Sequence, residues 1–249
     1  MHPEARWHQP LFAEVNGGRV AYRMLGPRSG PPVVLLHGLA SSAVTWQSFA
    51  AALATAGRWV IAPDLRGHGL SANRDSYAFD EFRLDVEALL AELDVGQADL
   101  VGHSLGGRFA TMIAQCRPAL VRRLVLEEMR PPIQEVTALS RVGLLAGSSR
   151  MARHLGLVSR LWTFDRSMAR SVVQQFSKPA PEWWSALPAV TARTLVLHGG
   201  PRGYAPLDRL LRVAALIPDC RLTTVDAGHR IHSSRPDEFN AAVLPFLRD

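Results

Sequence analysis

Lysine is almost missing from this chain: of 28 basic residues in 249, only Lys178 is not arginine, and the arginines are spread along the whole length. The net charge of +6 is therefore a compositional habit, not a patch. Basic runs interleaved with aromatics, which a nucleic-acid groove needs, are absent, and nucleic acid is excluded as a partner. No run of 18 uncharged apolar residues occurs, so no membrane span is expected. The start, Met1-His2-Pro3-Glu4-Ala5-Arg6-Trp7-His8, has no apolar segment behind a basic one, and a soluble, cytoplasmic protein is the expectation. Cysteine is scarce too. Cys116 and Cys220 fit no metal or redox spacing and are expected to be small packing residues, Cys116 at a helix end and Cys220 in a loop.

What the chain has is apolar mass. Hydrophobic residues make up 47% of it, enough for one large core with room for an inserted subdomain. Its organising stretch is Leu100-Val101-Gly102-His103-Ser104-Leu105-Gly106-Gly107, an apolar strand that runs into a glycine-lined turn and opens a helix from Leu105 to Cys116. Glycines two before and two after Ser104 remove Cβ atoms that would clash where strand folds back on helix. The turn lifts the serine hydroxyl clear of the sheet and points the Leu105 amide at a developing oxyanion.

Around this stretch the pattern alternates. Phe12 to Val15 and Arg19 to Met24 flank Asn16-Gly17-Gly18, a hairpin signal. Val33 to Leu36 is a continuous apolar run suited to a central strand, followed by a helix predicted over Ser41 to Ala56. A strand over Trp59 to Ala62, a helix over Tyr77 to Leu93 and a strand over Val121 to Leu126 continue the rhythm, which indicates a parallel sheet covered on both faces. Residues 133–188 break it: helical stretches over Val136 to Leu145, Ser149 to Leu155 and Asp165 to Phe176 read as an inserted cap. Alternation resumes with a strand over Thr194 to His198, a helix over Leu207 to Ile217, a strand over Leu222 to Val225 and a helix over Pro236 to Leu247. The domain reading is thus a core of 1–132 and 189–249 with a helical cap of 133–188.

Four landmarks in order make the chain resemble the α/β-hydrolase family: His37-Gly38, the turn Asp64 to Ser71, the elbow at Ser104, and Ala227-Gly228-His229. The resemblance implies an α/β fold with a mostly parallel eight-stranded sheet, helices on both faces, a helical cap, and a Ser/acid/His triad without cofactor or metal. It maps the base onto His229, with His232 as the nearby rival, and the two oxyanion amides onto Leu39 and Leu105. The Asp64 to Ser71 turn is expected to be structural, its Asp and Arg tying a tight loop.

The chain departs from the family at the acid. Where most members carry Asp after the seventh strand, His198-Gly199-Gly200-Pro201-Arg202 offers an arginine. A minority place the acid after the sixth strand, and here that strand ends in Glu127-Glu128. Aligning Asp-x-x-Pro with Glu128-Met129-Arg130-Pro131 assigns Glu128 ahead of Glu127, with Asp208 and Asp226 behind. Serine at the elbow disfavours the dehalogenases and epoxide hydrolases of this fold, which use aspartate there. The expectation is a serine hydrolase of a carboxylic ester, with thioester or lactone as variants. The rival readings are a C–C bond hydrolase and a non-catalytic ligand-binding homologue. Cap arginines Arg141, Arg150, Arg153, Arg160, Arg166 and Arg170 either form a solvated face or meet an acidic carrier or CoA-like group.

Overall fold

The computed structural model describes residues 6–135 and 164–248. Eight strands form one sheet: β1 (Leu11–Val15), β2 (Gly18–Leu25), β3 (Pro32–Leu36), β4 (Trp59–Pro63), β5 (Ala98–His103), β6 (Val121–Glu127), β7 (Arg193–His198) and β8 (Cys220–Thr224). They lie in the order β1-β2-β4-β3-β5-β6-β7-β8. The β1/β2 and β2/β4 pairs are antiparallel and the rest parallel. Asn16 and Gly17 both have positive φ between Val15 and Gly18, the two-residue hairpin turn whose twist matches its strands.

The apolar run of β3 divides between two cores. Val34 and Leu36 face α2 (Phe79–Glu92) and α3 (Leu105–Cys116), while Val33 and Leu35 face α1 (Gln47–Thr55) and α8 (Pro236–Arg248). Strands buried on both faces must be apolar at every position, which is why the sequence shows a run and not an alternation. Between β6 and α8 lie α4 (Arg166–Phe176), α5 (Pro181–Ser185), α6 (Leu207–Leu216) and the short α7 (Ile231–Ser234). Among the described residues no helix is long and apolar enough to cross a membrane.

Several expectations need correction. The helix expected from Ser41 is a 3₁₀ turn over Ala43–Trp46 before α1 begins, because Asp64 Oδ1 takes the Ala43 amide at 2.7 Å and tightens the entry. Cys116 is exposed, not packed: it is the last residue of α3, beyond the turn in which Ile113 and Ala114 are buried. Cys220 opens β8 instead of sitting in a loop and is half-buried against the core, and that burial pushes its thiol up to about 12. Arg66 does not pair with Asp64. It crosses to α2, holding Asp85 at 2.8 Å and Glu81 at 2.5 Å, while Asp64 holds the loop through the Leu70 amide at 3.0 Å. The helices read over Val136 to Leu145 and Ser149 to Leu155, and Arg141, Arg150, Arg153 and Arg160, lie outside the described residues. Arg166 and Arg170 are exposed on α4, and Met168 is buried.

Candidate active site

Strand β5 ends at His103, α3 begins at Leu105, and Ser104 makes the turn between them with φ 51° and ψ −110°. A non-glycine residue in that region is strained by about 1–3 kcal/mol, and its surroundings must hold it there. They do so through the Ser104 amide, which donates to Glu127 O at 2.8 Å, and the Ser104 carbonyl, which accepts from Arg108 N at 3.2 Å. The flanking glycines are required by contact: a Cβ on Gly106 would lie 2.2 Å from Leu36 O, and one on Gly102 would lie 2.6 Å from the Gly106 carbonyl. Leu105, as first residue of α3, has an amide with no acceptor inside the helix.

Across from the elbow, the turn after β3 comes close through Gly38, where a Cβ would stand 3.4 Å from Ser104 Cβ. Leu39 follows it. His37 fixes this turn: its Nδ1–H donates to Gly38 O at 2.8 Å and its Nε2 accepts the Leu65 amide at 3.0 Å. Full burial lowers its pKa to about 4, against a weaker upward pull from the Gly38 carbonyl. The sign of the consequence is fixed. Between about pH 6.5 and 4 the unfolded chain carries a proton on His37 that the folded chain lacks, so acid favours unfolding. The stability from this neutral ring is present above about pH 6.5 and lost on descending through that window, up to about 3 kcal/mol. Urea unfolding of the His37→Gln variant should show a slope of stability against pH shallower by about 1.4 kcal/mol per unit in this range; an unchanged slope contradicts the assignment.

His229 follows Gly228, which has φ 76°, in the loop after β8. Its ring lies 4.7 Å from the ring of His103 and 5.1 Å from that of Tyr204. His103 Nε2–H donates to the His229 carbonyl at 2.8 Å, anchoring the loop beside the elbow. Burial, then the neighbouring imidazoles, hold His103 well below the ordinary histidine value, so it is a neutral donor. On its other side His229 Nδ1 meets Glu128 Oε2 at 3.3 Å. That separation is long for a charge-assisted bond, as such bonds often are in unliganded sites.

Glu128 is fully buried with φ 49°. Its Oε1 accepts the Gly199 amide at 2.6 Å, and its Oε2 accepts those of Tyr204 at 2.5 Å and Ala205 at 3.1 Å. Burial pushes this carboxyl up, but the bonds from His229 and the three amides together outweigh it and hold the group below the usual carboxylate range. The group is ionised, and the loop after β7 binds it without supplying an acid of its own.

Residues 31–145 match the model of the alpha/beta hydrolase fold. The sn-1-specific diacylglycerol lipase ABHD11 of Xenopus laevis is 41% identical over 252 residues, covering 88% of this chain and 80% of the relative. The chain belongs to the α/β-hydrolase family. The acetyltransferase component of the acetoin cleaving system of Pseudomonas putida is 36% identical over 265 residues, covering 98% of this chain and 71% of that protein. A hydrolase from Pseudomonas aeruginosa PA01 superposes with a TM-score of 0.82 at 26% identity, covering 96% of this chain and 98% of that one. An enol-lactonase from Burkholderia xenovorans LB400 shares the fold, with a TM-score of 0.77 at 23% identity over 96% of this chain and all of its own. The protein is a hydrolase of the α/β fold.

In this α/β-hydrolase Glu127, Asp226 and the rival histidine are otherwise engaged. His232 donates its amide and Nδ1–H to Glu127, the ring nitrogen approaching Oε2 at 2.7 Å, and its Nε2 accepts from the Thr45 hydroxyl at 2.9 Å. Asp226 meets Arg202 at 3.4 Å in solvent, and Asp208 is exposed on the first turn of α6. Sequence reasoning passed over Tyr204, which contacts the His229 ring and which no motif marks.

Proposed function

We propose that the chain is a serine hydrolase of a carboxylic ester that works through an acyl-enzyme on Ser104. In this reading Ser104 Oγ attacks the ester carbonyl carbon while its proton passes to His229 Nε2. The Leu39 and Leu105 amides hold the oxyanion. Ionised Glu128 keeps the His229 proton on Nδ1, so that Nε2 carries the lone pair that attack requires. The imidazolium then returns its proton to the leaving alkoxide as the C–O bond breaks. Water, deprotonated by the same imidazole, attacks the acyl carbon and releases the acid and Ser104. A small-molecule thioester or lactone would pass through the same steps.

One observation carries the reading: a serine in a strained strand-to-helix turn, whose neighbour His103 holds the loop of a histidine with its Nδ1 facing a buried, ionised glutamate. The X. laevis relative, named as a diacylglycerol lipase, supports ester substrates.

The test is a chromogenic acyl ester in rapid mixing. A burst of nitrophenolate close to one equivalent per enzyme, followed by slower steady release, is expected, with fluorophosphonate labelling confined to the peptide holding Ser104. A folded protein that gives neither burst nor label is a ligand-binding homologue and not an ester hydrolase.

A further inference from the structure

Two arginines on the segments that flank Glu128 have no carboxylate bonded to them among the described residues. Arg130, two residues beyond Glu128, donates through Nη1 to the Tyr204 hydroxyl at 2.8 Å and lies 5.3 Å from the centre of that phenol ring. The same ring is 5.1 Å from His229. Arg209, on the first turn of α6, has its Nη1 buried with no hydrogen-bond partner. Both residues border Glu128, Arg130 two residues beyond it and Arg209 four beyond Ala205, whose amide Glu128 accepts, and burial and then the positive charge of Arg130 lower the Arg209 pKa. Two like charges brought together with a buried donor left unmatched are unfavourable unless something negative completes them.

The local carboxylates do not. Asp208, the acidic group that acts on Arg209, is exposed and is the weakest of the influences on it. Glu128 is consumed by three amides and His229. The first turn of α6 also has no side-chain cap, so its amides add positive potential on the same side. All of these groups lie beyond the C-terminal ends of β6 and β7, the edge of a parallel sheet where ligands bind.

We propose that Arg130 and Arg209, with the Tyr204 hydroxyl, bind an anionic group of the substrate, a carboxylate or phosphate a few atoms from the scissile carbonyl. This rests on the ester-hydrolase reading and narrows it to acidic esters. It places the recognition of negative charge on the strand-end loops.

The test compares two esters of equal acyl length, mono-4-nitrophenyl adipate and 4-nitrophenyl hexanoate, in the wild type, Arg130→Gln and Arg209→Gln. The wild type should favour the adipate, and each variant should lower the adipate-to-hexanoate ratio of kcat/KM by about tenfold or more, chiefly through KM. Arg130→Lys and Arg209→Lys, which keep the charge but lose the planar fork, should retain part of that ratio. A second readout is independent of turnover: adipate or inorganic phosphate should raise the melting temperature of Ser104→Ala, and less so when either arginine is also replaced by glutamine. Protection by phosphate above that by adipate identifies the phosphate source, and the reverse the carboxylate. An unchanged ratio in both variants, or ligand protection indifferent to both arginines, overturns the proposal and leaves Arg209 Nη1 to water. Protection that needs the arginines, in a protein that turns over neither ester, upholds the anion site and fails the hydrolase reading instead.

Discussion

Ser104→Ala is expected to lower turnover of an acyl ester by about 10³-fold or more and to leave the melting temperature close to that of the wild type. The first half follows, in the proposed ester-hydrolase reading, from the loss of the oxygen that bonds the acyl carbon. Positioned amides and the His229–Glu128 pair remain, but with no oxygen to activate they can only assist water. The second half follows from the backbone. Alanine keeps the same Cβ at φ 51°, so the strain of the turn is unaltered and the amide bond to Glu127 O is untouched. Turnover within about tenfold of wild type would remove Ser104 from the reaction. Ser104→Gly separates strain from chemistry: it should be equally inactive yet more stable, because glycine relieves about 1–3 kcal/mol of backbone strain.

Glu128→Gln is expected to reduce turnover by about 10²- to 10⁴-fold and to lower stability as well. The amide cannot satisfy every donor that the carboxylate does. With its oxygen toward Tyr204, Ala205 and His229, its NH₂ faces the Gly199 N–H, donor against donor, at a site with no water-exposed surface. An unmet buried donor costs about 1–3 kcal/mol. That orientation preserves the His229 tautomer, so the loss of rate reports chiefly the missing charge opposite the imidazolium. Glu127→Gln should lower stability through His232 but change turnover by less than about tenfold, and Asp208→Asn should do neither. If Glu127→Gln were the variant that stopped turnover, the acid assignment would be off by one residue. If none of the three changed it, Ser104 and His229 would have to act as a dyad.

The frame of this protein was readable from sequence because it is written locally. The apolar runs of β3, β5 and β6 each carry both faces of the sheet within five to seven residues, and the glycines about Ser104 mark a contact that only glycine permits. Glu128 was singled out by its spacing to Pro131, and the structure sets it against His229 Nδ1. What could not be read is pairing over distance. Glu127 meets His232 across 105 residues, and the amides that ionise Glu128 come from residues 199, 204 and 205. The same holds for Arg66, whose partner Asp85 is near in space and not in sequence. The exposure of Cys116 was missed because residue type does not say how far the packing beneath a helix reaches along it.

The loop after β7 has a consequence for descent. Its three amides converge on a carboxylate that another strand provides, while Arg202, at the position where most of the family carries the acid, faces Asp226 in solvent. Transferring the acid from β6 to this loop would strand those amides before any new carboxylate could engage them, and keeping Glu128 during the transfer would set two anions against one imidazole. In the triad reading, moving the acid to this loop is therefore expected to need paired changes, one that removes Glu128 and one that re-forms the loop around the new carboxylate.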